Sequence, residues 1–208
     1  MIQYIFETNK HHNYDNVKNI TLKNVKPTLI SDKFPNLETY KYIYNGEYDP
    51  YRMYWKNFVK NSYLLDFKVT LRFLHIEINE EVQYLQLFEF HNLQKIHIEA
   101  FFNPDGKNCT ISFPENIKCI ELINRDIYSP DRGDIGIYNC KNLETLLLLG
   151  LRPSQKEIEQ CINLKFLSLY CLGTNIKQEY MCLNNLHIYQ LNLYNVCIIR
   201  LCDIELID

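Results

Sequence analysis

Between Cys140 and Leu172 the chain spells one phrase twice. Cys140-Lys-Asn-Leu143-x-x-Leu146-x-Leu148 is followed, 21 residues later, by Cys161-Ile-Asn-Leu164-x-x-Leu167-x-Leu169. The Leu-x-Leu portion has a period of two, which in an extended strand sends the leucines to one side and the intervening residues to the other. One such strand cannot bury its apolar side alone. Parallel copies stacked about 4.8 Å apart can do so together. Between the two copies, Ser154-Gln-Lys-Glu157 has the spacing of a capping box and predicts a short helix. Strand, turn, helix and the same strand again describe a solenoid.

The same apolar-x-x-apolar-x-apolar spacing begins at Val17, Leu37, Leu71, Val82, Leu93, Ile117, Leu143, Leu164 and Ile188. An Asn or apolar residue at the end of the motif is expected to turn the chain out of the strand. The starts at 71, 82 and 93 lie only 11 residues apart, too close for coils of roughly 20–29 residues. Residues 71 and 93 are therefore read as true rungs, and VQYLQLFEF from Val82 as a strand on the returning side. Residues 110–113 are read as a second return strand, replaced in later coils by helices after Ser154 and after Thr174. Asp49-Pro50 is an N-cap followed by a first-turn proline. It predicts a helical insertion near 49–62 with Trp55, Phe58 and Val59 on its apolar stripe. The whole of 1–208 is read as one domain, with about eight irregular repeats over 17–197 between caps at 1–16 and 198–208.

At this point the chain resembles the leucine-rich-repeat family, whose motif is L-x-x-L-x-L-x-x-N/C-x-L. The resemblance spans roughly 17–197 and is strongest over 143–172. It implies an α/β solenoid: a horseshoe with a parallel sheet on its concave face and mixed short strands and helices on its convex face. It further implies a non-enzymatic interaction module that binds a protein partner or larger assembly through the concave face, without a cofactor. The Asn-, Lys-, Ile- and Tyr-heavy vocabulary is that of AT-rich coding, as in short members of the family from parasites and viruses.

Composition bounds these expectations. A net charge of −3 over 208 residues offers no broad basic surface and argues against nucleic acid as the partner. Six Gly and seven Pro argue against a low-complexity chain. The N-terminal stretch lacks a basic leader and a long apolar run, and no segment is long and apolar enough for a bilayer, so a cytoplasmic protein without membrane contact is expected. No C-x-x-C occurs among the eight cysteines. Cys119, Cys140, Cys161 and Cys182 fall at intervals of 21 and are expected to stack as a buried file of small hydrophobes.

Two groups stand out among the residues that would face outward. His-Ile-Glu occurs at 75–77 and again at 97–99, so His75 and His97 would be neighbours, as would Glu77 and Glu99. Leu147, Leu149, Phe166, Tyr170 and Tyr194 would form an apolar and aromatic patch, of the kind that marks a partner site, unless the C-terminal segment folds over it. The partner-binding candidates are that patch together with His75, His97, Glu99 and Glu121. Two other readings stay open. One is a metal-binding or hydrolytic protein using His75, His97, Glu77 and Glu99. The other is a ribonucleoprotein-associated factor using Lys23, Lys41 and Lys95.

Overall fold

The computed structural model describes residues 14–23, 34–44, 70–82, 84–102, 109–125, 134–138, 140–153, 155–170, 181–182, 186–194 and 199–200. The period-two stretches form eight strands of one parallel sheet: β1 (Asn19–Lys23), β2 (Thr39–Ile43), β3 (Phe73–Val82), β5 (Lys95–Phe102), β7 (Cys119–Asn124), β9 (Thr145–Leu149), β11 (Phe166–Tyr170) and β13 (Gln190–Tyr194). They lie side by side in chain order. A second parallel sheet on the returning side holds β4 (Tyr84–Gln86), β6 (Cys109–Ser112), β8 (Asp134–Tyr138) and β10 (Arg152–Pro153). The pair β12 (Met181–Cys182) and β14 (Ile199–Arg200) is a separate short parallel sheet. The protein is a parallel β-solenoid.

Register follows the hydrophobic pattern. Leu74, Ile96, Ile120, Leu146, Leu167 and Leu191 are successive partners across the first sheet. All but Leu191 are fully buried; Leu191 packs on the core from its edge. Leu85, Ile111, Ile135 and Ile137 from the second sheet are buried in the same cluster. Each fully buried aliphatic side chain contributes about 1.5–3 kcal/mol. The core between the sheets is therefore a column, built one rung at a time.

One turn recurs before the strands. The amides of Val17, Leu37, Leu93, Ile117, Leu143 and Leu164 donate to the carbonyls of Tyr14, Phe34, Phe90, Pro114, Cys140 and Cys161, at 2.9–3.2 Å. Every one of these turns carries Asn at its third position. The side-chain amide of Asn36 donates to the Asp15 carbonyl, that of Asn116 to His91, Asn142 to Glu115 and Asn163 to Lys141, at 2.8–3.0 Å. Each asparagine thus satisfies a carbonyl in the turn of the coil before it.

Several expectations need correction. The cysteines do not form one file. Cys140 and Cys161 open turns, in the position that Phe34 and Phe90 fill elsewhere, whereas Cys119 lies in β7 on the outward face. Burial raises all of these thiols, that of Cys161 to about 11. Asn79 does not end its strand, because β3 runs on to Val82 through an irregularity between Glu77 and Glu81. Residues 134–138 form a return strand that the spacing did not foretell. Among the described residues the only helix is α1 (Gln155–Glu159), which follows Ser154 as the capping box predicts. Among the described residues the reverse side is built mainly of strands. The anticipated helices at 49–62 and after Thr174 lie outside the described residues, as does most of each cap.

Candidate functional site

Three files of side chains stand on the outward face of the eight-stranded sheet. The first reads Asn19, Thr39, Phe73, Lys95, Cys119, Thr145, Phe166, Gln190. The middle file reads Thr21, Lys41, His75, His97, Glu121, Leu147, Ser168, Asn192, and the third Lys23, Ile43, Glu77, Glu99, Ile123, Leu149, Tyr170, Tyr194. Every outward candidate read from the sequence stands in one of these files. The face changes character between β7 and β9: its charged and imidazole groups all lie before that line, and Leu147, Leu149, Phe166, Tyr170 and Tyr194 lie after it among Thr145, Ser168, Gln190 and Asn192.

On the polar half, His75 and His97 are direct register partners and their rings stack, centroids 4.3 Å apart and planes 10° from parallel. His75 is only 9 % exposed, and the Phe73 ring meets its edge. His75 Nε2 lies 2.5 Å from Glu77 Oε1, which Lys41 approaches at 3.7 Å. His97 Nδ1 lies 2.9 Å from Glu121 Oε2, while Lys95 donates to the other oxygen of Glu121 at 2.6 Å. Burial lowers the His75 pKa below the ordinary histidine value, the Glu77 contact opposing it and the His97 ring adding to it. Hydrogen bonds from His97 first and Lys95 next hold the Glu121 carboxyl down at about 2, against the effect of burial. The Glu77 carboxyl is lowered too: burial acts to raise it, but His75 and Lys41 prevail.

The sequence reading pairs Glu77 with Glu99, and the register does make them neighbours. Their partners differ, however. Glu99 is held by Arg125 Nε at 3.1 Å, and the Arg125 guanidinium also donates to Asn79. The carboxylate that serves His97 is Glu121, one rung further on. Neither Arg125 nor this pairing was legible beforehand, since Arg125 reaches back across 46 residues of sequence to Asn79. His75, Glu77 and His97 each offer a ligand atom within 4.8 Å of the others, and are the residues fit to hold a metal ion.

On the apolar half, Leu147, Leu149 and Tyr170 are half-buried among their neighbours, whereas Phe166 is 42 % and Tyr194 54 % exposed. The Tyr170 and Tyr194 rings lie 6.3 Å apart at a tilt. Leu193 on the last rung is 39 % exposed. Whether the C-terminal segment covers this patch concerns residues outside those described.

Comparison with known proteins finds no family model, no curated relative and no solved structure that matches this chain. The reading of the face therefore rests on its own chemistry. No helix among the described residues is long and apolar enough to cross a membrane.

A second surface escaped the sequence reading altogether. Along the turn edge, Gln94, Lys118, Glu144 and Lys165 line a polar groove of about 340 Å³ together with Asn92, Asn116, Asn142 and Asn163. Glu144 bridges Lys165 at 3.1 Å and Lys118 at 3.7 Å, and both lysines hold its carboxyl below the usual range. The signal for this edge was present: an Asn directly before the first aliphatic residue of six of the eight rungs.

Proposed function

We propose that the chain is a non-enzymatic interaction module, an irregular solenoid akin to leucine-rich-repeat proteins, that docks a protein partner or larger assembly on its outward sheet face. The observation that carries this reading is the patch of Leu147, Leu149, Phe166, Tyr170 and Tyr194 on three consecutive rungs, with Phe166 and Tyr194 turned to solvent. A regular sheet positions these rings without a loop, so little side-chain ordering remains to oppose binding. Exposed aromatic side chains on such a scaffold act as anchors that carry most of an interface's energy. The ion-paired half beside them, with His75, His97, Glu99 and Glu121, supplies the polar rim and the register of docking. Free, buried thiols at Cys109, Cys140 and Cys161 suit a reducing, cytoplasmic setting. The departure from the family is the reverse side, where the described residues are mainly strands.

The test is a comparison of partner recovery by the intact chain and by a Phe166→Asp/Tyr194→Asp variant, each as a tagged bait in cells. The account expects a specific partner to be lost, with far-UV circular dichroism unchanged. A well-folded variant that recovers the same set would remove the patch as the docking surface. An affinity for RNA that falls steeply with salt would instead favour a ribonucleoprotein role.

A further inference from the structure

We propose that His75, Glu77 and His97 form a binding site for one divalent transition-metal ion of the zinc class, with Glu121 orienting His97. The donor set, two imidazoles and one carboxylate, is one that zinc accepts with a fourth position left for water or an outside donor. Its geometry comes directly from the sheet. His75 and Glu77 are two apart on β3 and share a face, and His97 stands opposite His75 on β5. Ligand atoms about 2.0–2.2 Å from a tetrahedral ion lie roughly 3.3–3.6 Å from one another. The three candidate atoms already lie within 4.8 Å of each other, so modest ring rotations, through torsions that are soft for His and carboxylate groups, close the remainder.

The hydrogen-bond pattern points the same way. His97 Nδ1 faces Glu121 Oε2 at 2.9 Å, so Nε2 is the ring nitrogen left to face an ion. A carboxylate behind the distal nitrogen is the usual support of a metal-bound histidine: it fixes the tautomer and raises ligand basicity. The ion takes the place of the hydrogen now between His75 Nε2 and Glu77 Oε1, which moves to Nδ1 of the same ring. Glu99 takes no part, because Arg125 holds it.

The experiment titrates the metal-free, full-length chain with Zn²⁺ by calorimetry and with Co²⁺ by visible absorption. The expected result is one saturable ion, with the intense ligand-field bands of a four-coordinate Co²⁺ site. His75→Ala and His97→Ala should abolish it, and Glu121→Gln should weaken it about 10–100-fold. Glu99→Gln and the double variant His11→Ala/His12→Ala should leave it unchanged. Should a histidine variant fail to fold, the ring nitrogens of the intact protein read ligation directly: Zn²⁺ must shift the ¹⁵N resonance of His97 Nε2 and spare its Nδ1. The proposal is overturned by the absence of a saturable ion, by binding that survives both His75→Ala and His97→Ala in folded protein, or by binding that disappears with His11 and His12.

Discussion

At Asn124 one buried amide ties three rungs together. Its Oδ1 accepts from the Phe102 amide at the end of β5, and its Nδ2 donates to the Gly150 carbonyl just past β9. Gly150 adopts φ 67° there, a left-handed conformation that glycine takes without steric cost. Asn124→Ala leaves the Phe102 amide buried without its acceptor, and should cost about 1–3 kcal/mol in urea unfolding. Glu121 gives a pH-dependent counterpart. Its carboxyl titrates near 2 in the folded chain against about 4.5 ordinarily, so the unfolded chain binds more protons between those values. The stability that Glu121 contributes is fully present above about pH 4.5 and is lost as pH falls toward 2. The gap between the wild type and Glu121→Gln, measured by denaturant unfolding across that window, should shrink as acid is added; a constant gap would contradict the assigned hydrogen bonds. At this scale the sequence was half legible. The repeated His-Ile-Glu did place His75 beside His97, because a period of two and one rung of spacing suffice for that. It did not tell which carboxylate each histidine meets, since side-chain reach across rungs, from Glu121 back to His97 and from Arg125 back to Glu99, leaves no mark in local spacing.

Among elements, the recurrent turn explains why irregular coils still stack. Coil length varies freely: Cys119 pairs with Thr145, 26 residues on, while Thr145 pairs with Phe166, 21 residues on. What recurs is the four-residue turn with Asn in third place, which restores register before β1, β2, β5, β7, β9 and β11. This is also why equal spacing of cysteines misled, since an interval of 21 matches the coil from β9 to β11 but not the one before it. The outward strands were legible because their aliphatic residues alternate over a core. The return strand β8 was not, as its DIGIY presents only two aliphatic residues. Asn142→Ala and Asn163→Ala should each cost about 0.5–1.5 kcal/mol. These asparagines serve adjacent turns, so the double variant should lose more than either single one; chemical denaturation of the three variants checks this. A cost near zero for both would show that backbone turns alone set the register.

For the whole molecule, the consequence of stacking is an outward wall whose chemistry changes with rung number: the charged and imidazole groups stand from β1 to β7, and the Leu147, Leu149, Phe166, Tyr170 and Tyr194 patch from β9 to β13. Both the docking surface and the metal site are products of that alignment, and neither exists in any one coil. In such a solenoid each rung is supported mainly by its two neighbours. Amide hydrogen exchange should therefore be slowest in β5, β7 and β9 and faster toward β1 and β13, where support comes from one side. The alignment itself is open to one direct measurement, interstrand nuclear Overhauser contacts in the isotopically labelled, full-length protein. The account predicts backbone contacts of Leu167 with both Leu146 and Leu191, none between Leu146 and Leu191, and contacts of His75 with His97 in parallel register. Antiparallel contacts, or a shift of one residue that turns His75 and Phe166 inward, would contradict it.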